Sequence, residues 1–234
     1  MLEVVASLQT TYFADGTVKT QVDGNGIATT YAQDSLGRVA SVTDPLSRKT
    51  SYTYNSIGAV ATETDPASQK TTTSFDNSCA PVSVSYSNTA TKQATFTYGN
   101  AGQLLSMVDG TGTTTYSYDS LGRTSKVVAP NGTVSYGYDI AGNVTSIVYP
   151  NAKTVTRTFG NDGLLSSVKD WNSKITSFNY NKNGALTGIV YLNGLTQSVG
   201  YDNPGRISSI AIKSSTATLA SFTYTRNLNS ELTG

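Results

Sequence analysis

Tyr116-Ser117-Tyr118-Asp119-Ser120-Leu121-Gly122-Arg123, residues 116–123, decides how this chain is read. Residues two apart on a strand share a face, so Tyr116 and Tyr118 point one way and Ser117 the other. Asp119 and Gly122 occupy the first and fourth positions of a type I turn, and a glycine at positive φ there closes a hairpin through a bulge. The stretch is therefore a strand, aromatic on one side, that runs into a tight turn.

The same signal recurs along the whole chain. An aromatic residue followed four positions later by glycine appears at Tyr12/Gly16, Tyr54/Gly58, Tyr98/Gly102, Tyr118/Gly122, Tyr138/Gly142, Phe159/Gly163, Tyr180/Gly184 and Tyr201/Gly205. Gln33/Gly37, Phe75/Cys79 and Tyr224/Leu228 read as degenerate copies. Neighbouring anchors lie 20 to 23 residues apart, so eleven copies tile residues 1–234. A fixed period of this length is the mark of a repeat architecture. A second aromatic column sits two residues before the anchor, at Tyr31, Tyr52, Phe96, Tyr116, Tyr136, Phe178 and Phe222.

After the turn an apolar pair follows at a spacing of three, as in Val144/Ile147, Leu165/Val168, Leu186/Ile189 and Ile207/Ile210. That spacing breaks strict strand alternation and predicts a bulge in the second strand. A second turn then appears, as at Asp44-Pro45, Asp65-Pro66, Asp109-Gly110, Pro150-Asn151 or Asn193-Gly194. Each repeat thus reads strand, turn, strand, turn. The expected fold is all-β, built of tandem β-hairpin repeats of about 21 residues that form a curved or spiralling antiparallel ribbon. We expect a single repeat array over 1–234, cut short at its C-terminal end, with no separate toxin domain.

Composition narrows the function. Lys and Arg total 16 against 15 for Asp and Glu, so no single-sign field exists to attract nucleic acid. No apolar run reaches the roughly 18 to 20 residues of a spanning helix, and the N-terminus has no basic start of a secretory signal. There is no histidine, which removes imidazole bases and the usual metal ligands. The single cysteine, Cys79, falls in a turn-glycine column and reads as a drifted turn residue rather than a nucleophile. Neither a catalytic residue, a metal site nor a cofactor is expected.

Tyr118-Asp119-Ser120-Leu121-Gly122-Arg123, Tyr138-Asp139-Ile140-Ala141-Gly142-Asn143 and Asp34-Ser35-Leu36-Gly37-Arg38 resemble the Y-D-x-x-G-R/N core of YD repeats. That family comprises bacterial RHS proteins, insecticidal Tc toxin complexes and animal teneurins. The resemblance implies a β-sheet ribbon that spirals into a hollow shell, which in bacteria encloses a C-terminal toxin. It also implies a secreted or cell-surface setting as part of a larger protein, whose remaining shell and enclosed toxin would be the partners. The family's closing D-P-x-G motif is not matched, because Asp44-Pro45-Leu46-Ser47 and Asp65-Pro66-Ala67-Ser68 lack the glycine.

The residues expected to matter are therefore structural. Tyr54, Tyr98, Tyr118, Tyr138, Phe159, Tyr180 and Tyr201 are the repeat aromatics, and Asp119, Gly122, Asp139, Gly142, Gly163, Gly184 and Gly205 the turn residues. Aromatic ladders of this kind fix strand register, each cross-strand pair adding about 0.2 to 1 kcal/mol. The alternative is a cell-surface adhesion or carbohydrate-binding module, since repeats of aromatic and glycine residues also resemble choline- or glucan-binding wall repeats. Rings buried between turns of the ribbon favour the first reading, and rings exposed in rows favour the second. Open sheet edges at the two ends are expected to seek a partner copy.

Overall fold

The computed structural model describes residues 8–227 and 229–233. The chain divides into two compact units, 1–115 and 116–234. The first holds β1 (Gln9–Tyr12), β2 (Val18–Val22), β3 (Ala28–Gln33), β4 (Val39–Thr43), β5 (Lys49–Tyr54), β6 (Val60–Thr64), β7 (Lys70–Phe75), β8 (Pro81–Tyr86), β9 (Ala94–Tyr98) and β10 (Leu104–Asp109). Strand β11 (Gly112–Tyr118) starts in this unit and ends in the second. The second unit continues with β12 (Thr124–Ala129), β13 (Gly132–Tyr138), β14 (Val144–Val148), β15 (Thr154–Phe159), β16 (Leu165–Lys169), β17 (Ile175–Tyr180), β18 (Leu186–Val190), β19 (Thr196–Tyr201), β20 (Ile207–Lys213) and β21 (Thr218–Thr223). Among the described residues there is no helix.

Within the first unit β1 to β11 pair in chain order, all antiparallel. Within the second, β12 to β21 do the same. This is the meander that short turns between successive strands dictate.

The spacing of three in the second strand has the expected cause. Gly137 faces Ser146 while Tyr138 faces Val144, so Thr145 has no partner and bulges. The skip recurs opposite Tyr54, Tyr98, Tyr180 and Tyr201. The extra residue returns Val144 to the face of Ile147, which lies opposite Tyr136. One face of the sheet thus carries aromatic-aliphatic pairs, among them Tyr31 with Val42, Phe96 with Met107, Tyr136 with Ile147 and Phe178 with Ile189.

The opposite face carries hydroxyls. Ser41 pairs with Ser51, Thr62 with Thr72, Ser106 with Thr115, Ser146 with Thr156 and Ser167 with Ser177. Some hydroxyls bond across the strands, at 2.7 Å between Thr53 and Thr62 and at 2.6 Å between Thr97 and Ser106. The core is correspondingly thin. Among the described residues the one buried apolar side chain is Val199, at 8% exposure. Full burial of a large apolar side chain contributes about 1.5 to 3 kcal/mol, and the half-buried rings of this sheet fall below that. Stability must therefore come from many repeated small terms.

One turn design recurs at both ends of the hairpins, although β10–β11 and β12–β13 close through two-residue turns, Asp109 facing Gly112 and Ala129 facing Gly132. In the turn after β11 the Asp119 N–H donates to the Arg123 carbonyl at 2.9 Å and the Gly122 N–H to the Asp119 carbonyl at 3.0 Å. The turn after β4 repeats it, with Asp44 N–H to Arg48 O at 3.0 Å and Ser47 N–H to Asp44 O at 2.9 Å. The left-handed position is glycine on the first side, where Gly122, Gly142, Gly163, Gly184 and Gly205 have φ of 77°, 93°, 77°, 75° and 86°. On the second side Ser47, Ser68, Ala152 and Ser173 hold φ between 60° and 64°. Non-glycine residues there carry a cost of about 1 to 2 kcal/mol each, and aspartate caps offset it at Ser47, Ser68 and Ser173.

The last repeat corrects the expected register. Taking Tyr224 as its anchor puts the glycine-equivalent at Leu228, outside the described residues. The turn instead runs from Asn227 to Glu231, with Ser230 at φ 69° in the glycine column. The anchor position belongs to Arg226, which bridges Leu232 as Tyr180 pairs with Leu186. Two aromatic columns two residues apart make a shift of two look in phase, and Tyr224 belongs to the earlier column. Residues 4–7 of the expected N-terminal edge, 4–11, also lie outside the described residues.

The turns make a paired prediction. A Cβ at Gly142 meets nothing nearer than Arg123 Nη1 at 4.0 Å, so space is open and only φ opposes a side chain. Gly142→Val should destabilise by about 1 to 3 kcal/mol, whereas Ser68→Gly, which relieves a left-handed serine, should stabilise by about 0.5 kcal/mol net. Urea unfolding of the two variants reads both signs.

Candidate functional site

Where the first turn position is an aspartate or asparagine, its side chain caps the turn it opens. Asp119 Oδ1 accepts the backbone N–H groups of Leu121 and Arg123, both at 2.9 Å. Asp34, Asp44, Asp65, Asp170, Asn55 and Asn181 do the same two and four residues on. The second aspartate oxygen holds the residue after the glycine. Asp119 Oδ2 accepts from Arg123 Nε at 2.7 Å, Asp34 from Arg38 at 2.7 Å and Asp202 from Arg206 at 2.8 Å. In the variant turn Asp139 takes Asn143 Nδ2 at 2.9 Å.

The clasped arginine also reaches the next repeat. The Arg123 guanidinium lies 4.4 Å from the centre of the Tyr138 ring, and its Nη1 donates to the Asp139 carbonyl at 3.0 Å. Arg38 lies 4.3 Å from the Tyr54 ring centre. The tyrosine hydroxyl reaches back in turn. Tyr138 donates to the Thr124 carbonyl at 2.7 Å, Tyr54 to Val39 at 2.8 Å, Tyr98 to Pro81 at 2.9 Å, Tyr180 to Leu165 at 3.0 Å and Tyr201 to Leu186 at 2.8 Å. Every acceptor opens the second strand of the preceding hairpin. At the C-terminal repeat Arg226 Nη1 fills this role, donating to the Ile207 carbonyl at 2.6 Å.

The Y-D-x-x-G-R pattern is therefore one brace: aspartate shapes the turn, arginine leaves it toward the next repeat, and the next tyrosine closes the loop. Residue pattern exposed the tyrosine, aspartate and glycine members; the linking role of Arg38 and Arg123 and the carbonyl acceptors needed coordinates. The anchor Phe159 keeps the ring and lacks the hydroxyl, and it is half-buried like Tyr118. The charged members titrate accordingly. The Arg38 side chain holds the Asp34 carboxyl below its ordinary value, the Arg123 backbone N–H leads the same effect on Asp119, and the Asn143 amide does so for Asp139. Cys79 is exposed at φ 65° in its turn. Among the described residues no group of three His, Cys, Asp or Glu side chains converges, and no helix is long and apolar enough to cross a membrane.

Comparison with known proteins fits this geometry. The family model described as Teneurin YD-shell matches residues 72–194, and the RHS Repeat model matches residues 34–76. The chain belongs to the YD/RHS-repeat family. The fold of this YD/RHS chain is similar to the crystal structure of TcdB2-TccC3, with a TM-score of 0.77 at 12% identity over 96% of the chain. The same complex without its hypervariable C-terminal region gives 0.76 at 12% identity over 96%. The Photorhabdus luminescens Tc holotoxin pore gives 0.59 at 17% identity over 95%. The chain spans 14% of the length of each of those proteins. No curated protein matches it in sequence.

Two outcomes are expected of the YD brace. Tyr138→Phe removes one hydroxyl bond and should cost about 0.5 to 1.5 kcal/mol in urea unfolding. Because the folded-state carboxyls are depressed, the unfolded chain binds more protons in acid. The brace contribution should be complete above the ordinary aspartate value of 3.8 and fall away as pH drops below it. Urea midpoints measured across that range should decline for the parent chain and decline less for Asp119→Asn.

Proposed function

We propose that this chain is a wall segment of a non-catalytic RHS/YD shell that encloses a toxin within a larger secreted or cell-surface protein. The observation that carries the reading is the brace. The anchor tyrosines and the turn arginines are directed at neighbouring repeats and the aspartates at their own turns, an arrangement that extends a wall and commits these groups to structure rather than to acid-base chemistry. The matching fold in TcdB2-TccC3 persists when that complex lacks its hypervariable C-terminal region, which supports a wall independent of what it holds. The repeat aromatics are half-buried rather than exposed in rows, and Tyr54, Tyr98, Tyr138, Tyr180 and Tyr201 are tied by their hydroxyls, which favours scaffold over repeated sugar platforms.

Limited proteolysis of the full-length protein tests this. Its C-terminal region should be cut at least about tenfold more slowly inside the intact protein than when excised, since protection tracks opening of the wall. Equal rates would contradict encapsulation, and turnover of a glycan or peptide abolished by one substitution in this segment would contradict the non-catalytic role.

A further inference from the structure

Two neighbouring turns of the second unit depart from the repeat pattern together. The turns at Asp23, Asp44, Asp65 and Asp170 open with a capping aspartate, but the turns between β14 and β15 and between β18 and β19 open with Tyr149 and Tyr191; Tyr191 spends its hydroxyl on Gln197 Oε1, whereas Tyr149 meets a ring of the next repeat. In the next repeat Trp171 occupies the second turn position, where the aspartate-capped turns have Gly24, Pro45 and Pro66. The turn needs neither ring. They meet edge to face, with centroids 6.3 Å apart at 83°, and Lys153 Nζ lies 5.0 Å from the Trp171 ring centre. Trp171 remains 48% exposed.

Around these rings lie two adjoining open depressions of about 350 and 520 Å³ that share Lys153 and Trp171. The smaller is bordered by Thr154, Thr156, Lys169, Asp170 and Ser173. The larger is bordered by Tyr149, Pro150 and Asn151. Asp170 Oδ1 caps the turn through the N–H groups of Asn172 and Lys174, and the two ammonium groups of Lys153 and Lys169 outnumber its one carboxylate, so the local sign is positive. A fixed indole presents an apolar platform, hydroxyl and amide groups flank it, and cations stand at its edge.

We propose that Trp171, Tyr149 and Lys153 form a binding site for an acidic saccharide containing uronic acid residues. The C–H face of the sugar lies on the indole, its carboxylate pairs with Lys153, and its hydroxyls bond to Asn151, Thr154 and Ser173. A neutral sugar leaves the lysines unused, and an acyclic anion leaves the ring unused. The site goes beyond the wall role, shares no residue with the brace, and can fail while the shell reading stands.

Trp171 is the single tryptophan of the chain, so selectively excited tryptophan fluorescence reads this site alone. Titration of the chain with trigalacturonate at low ionic strength should give a saturable change, with maltotriose and citrate each at least about tenfold weaker. Loss of one charge-assisted bond in Lys153→Gln should weaken trigalacturonate about tenfold with an unchanged far-ultraviolet circular dichroism spectrum. No saturable response, an equal response to maltotriose or citrate, or an unchanged affinity in Lys153→Gln would overturn the proposal.

Discussion

The hydroxyl of an anchor tyrosine, bonded to the carbonyl that opens the second strand of the preceding hairpin, is the constraint on which this sheet depends. A protein of ordinary compactness fixes its strands by burying them against a second layer. Here Val199 is the one apolar side chain buried among the described residues, so register must be set within the sheet itself. The tyrosine does this in repeat after repeat, and at Tyr54 and Tyr138 the arginine of the preceding turn adds a second contact from the other side. Both contacts bind consecutive repeats at the same end of the hairpin, where the bulge gives the chain its extra residue.

Because each repeat is braced only to its sequence neighbours, the energetics should be close to those of a one-dimensional array. That explains how the pattern tolerates losses. Phe159 forgoes the hydroxyl, Asn143 stands where arginine stands elsewhere and still bonds Asp139, and Arg226 replaces a tyrosine altogether while keeping the carbonyl contact. Length variation gathers at the second turns, as in the 87–93 connection between β8 and β9, where an added residue does not touch the brace. The same freedom lets Tyr149 and Trp171 appear at turn positions without disturbing the strands around them.

Repeat length, hairpin order, the bulge and the left-handed glycines were legible in the sequence, because each has a local chemical cause that recurs at a fixed spacing. The second set of left-handed positions was not. Ser47, Ser68, Ala152 and Ser173 carry no mark of positive φ, and only the aspartate cap that offsets the strain of the three serines hints at it. The place of Tyr224 was misread because its neighbour column mimics the anchor at a shift of two. The arginine brace escaped notice since a residue after a turn glycine reads as a solvated charge, and its partner lies about 16 residues away. The Trp171 cluster was hidden for the same reason: its members belong to different repeats, and Trp171 is the one tryptophan of the chain.

The central claim, that neighbouring repeats are coupled through the arginine and tyrosine rather than through a shared core, is most directly tested by double-mutant cycles. Arg123→Ala and Tyr138→Leu, alone and combined, should show a coupling of about 0.5 to 1 kcal/mol, while Arg123→Ala with Tyr180→Leu, three anchors further along than Tyr118, should be additive within about 0.5 kcal/mol. Additivity in the first pair, or equal coupling in both, would contradict the account.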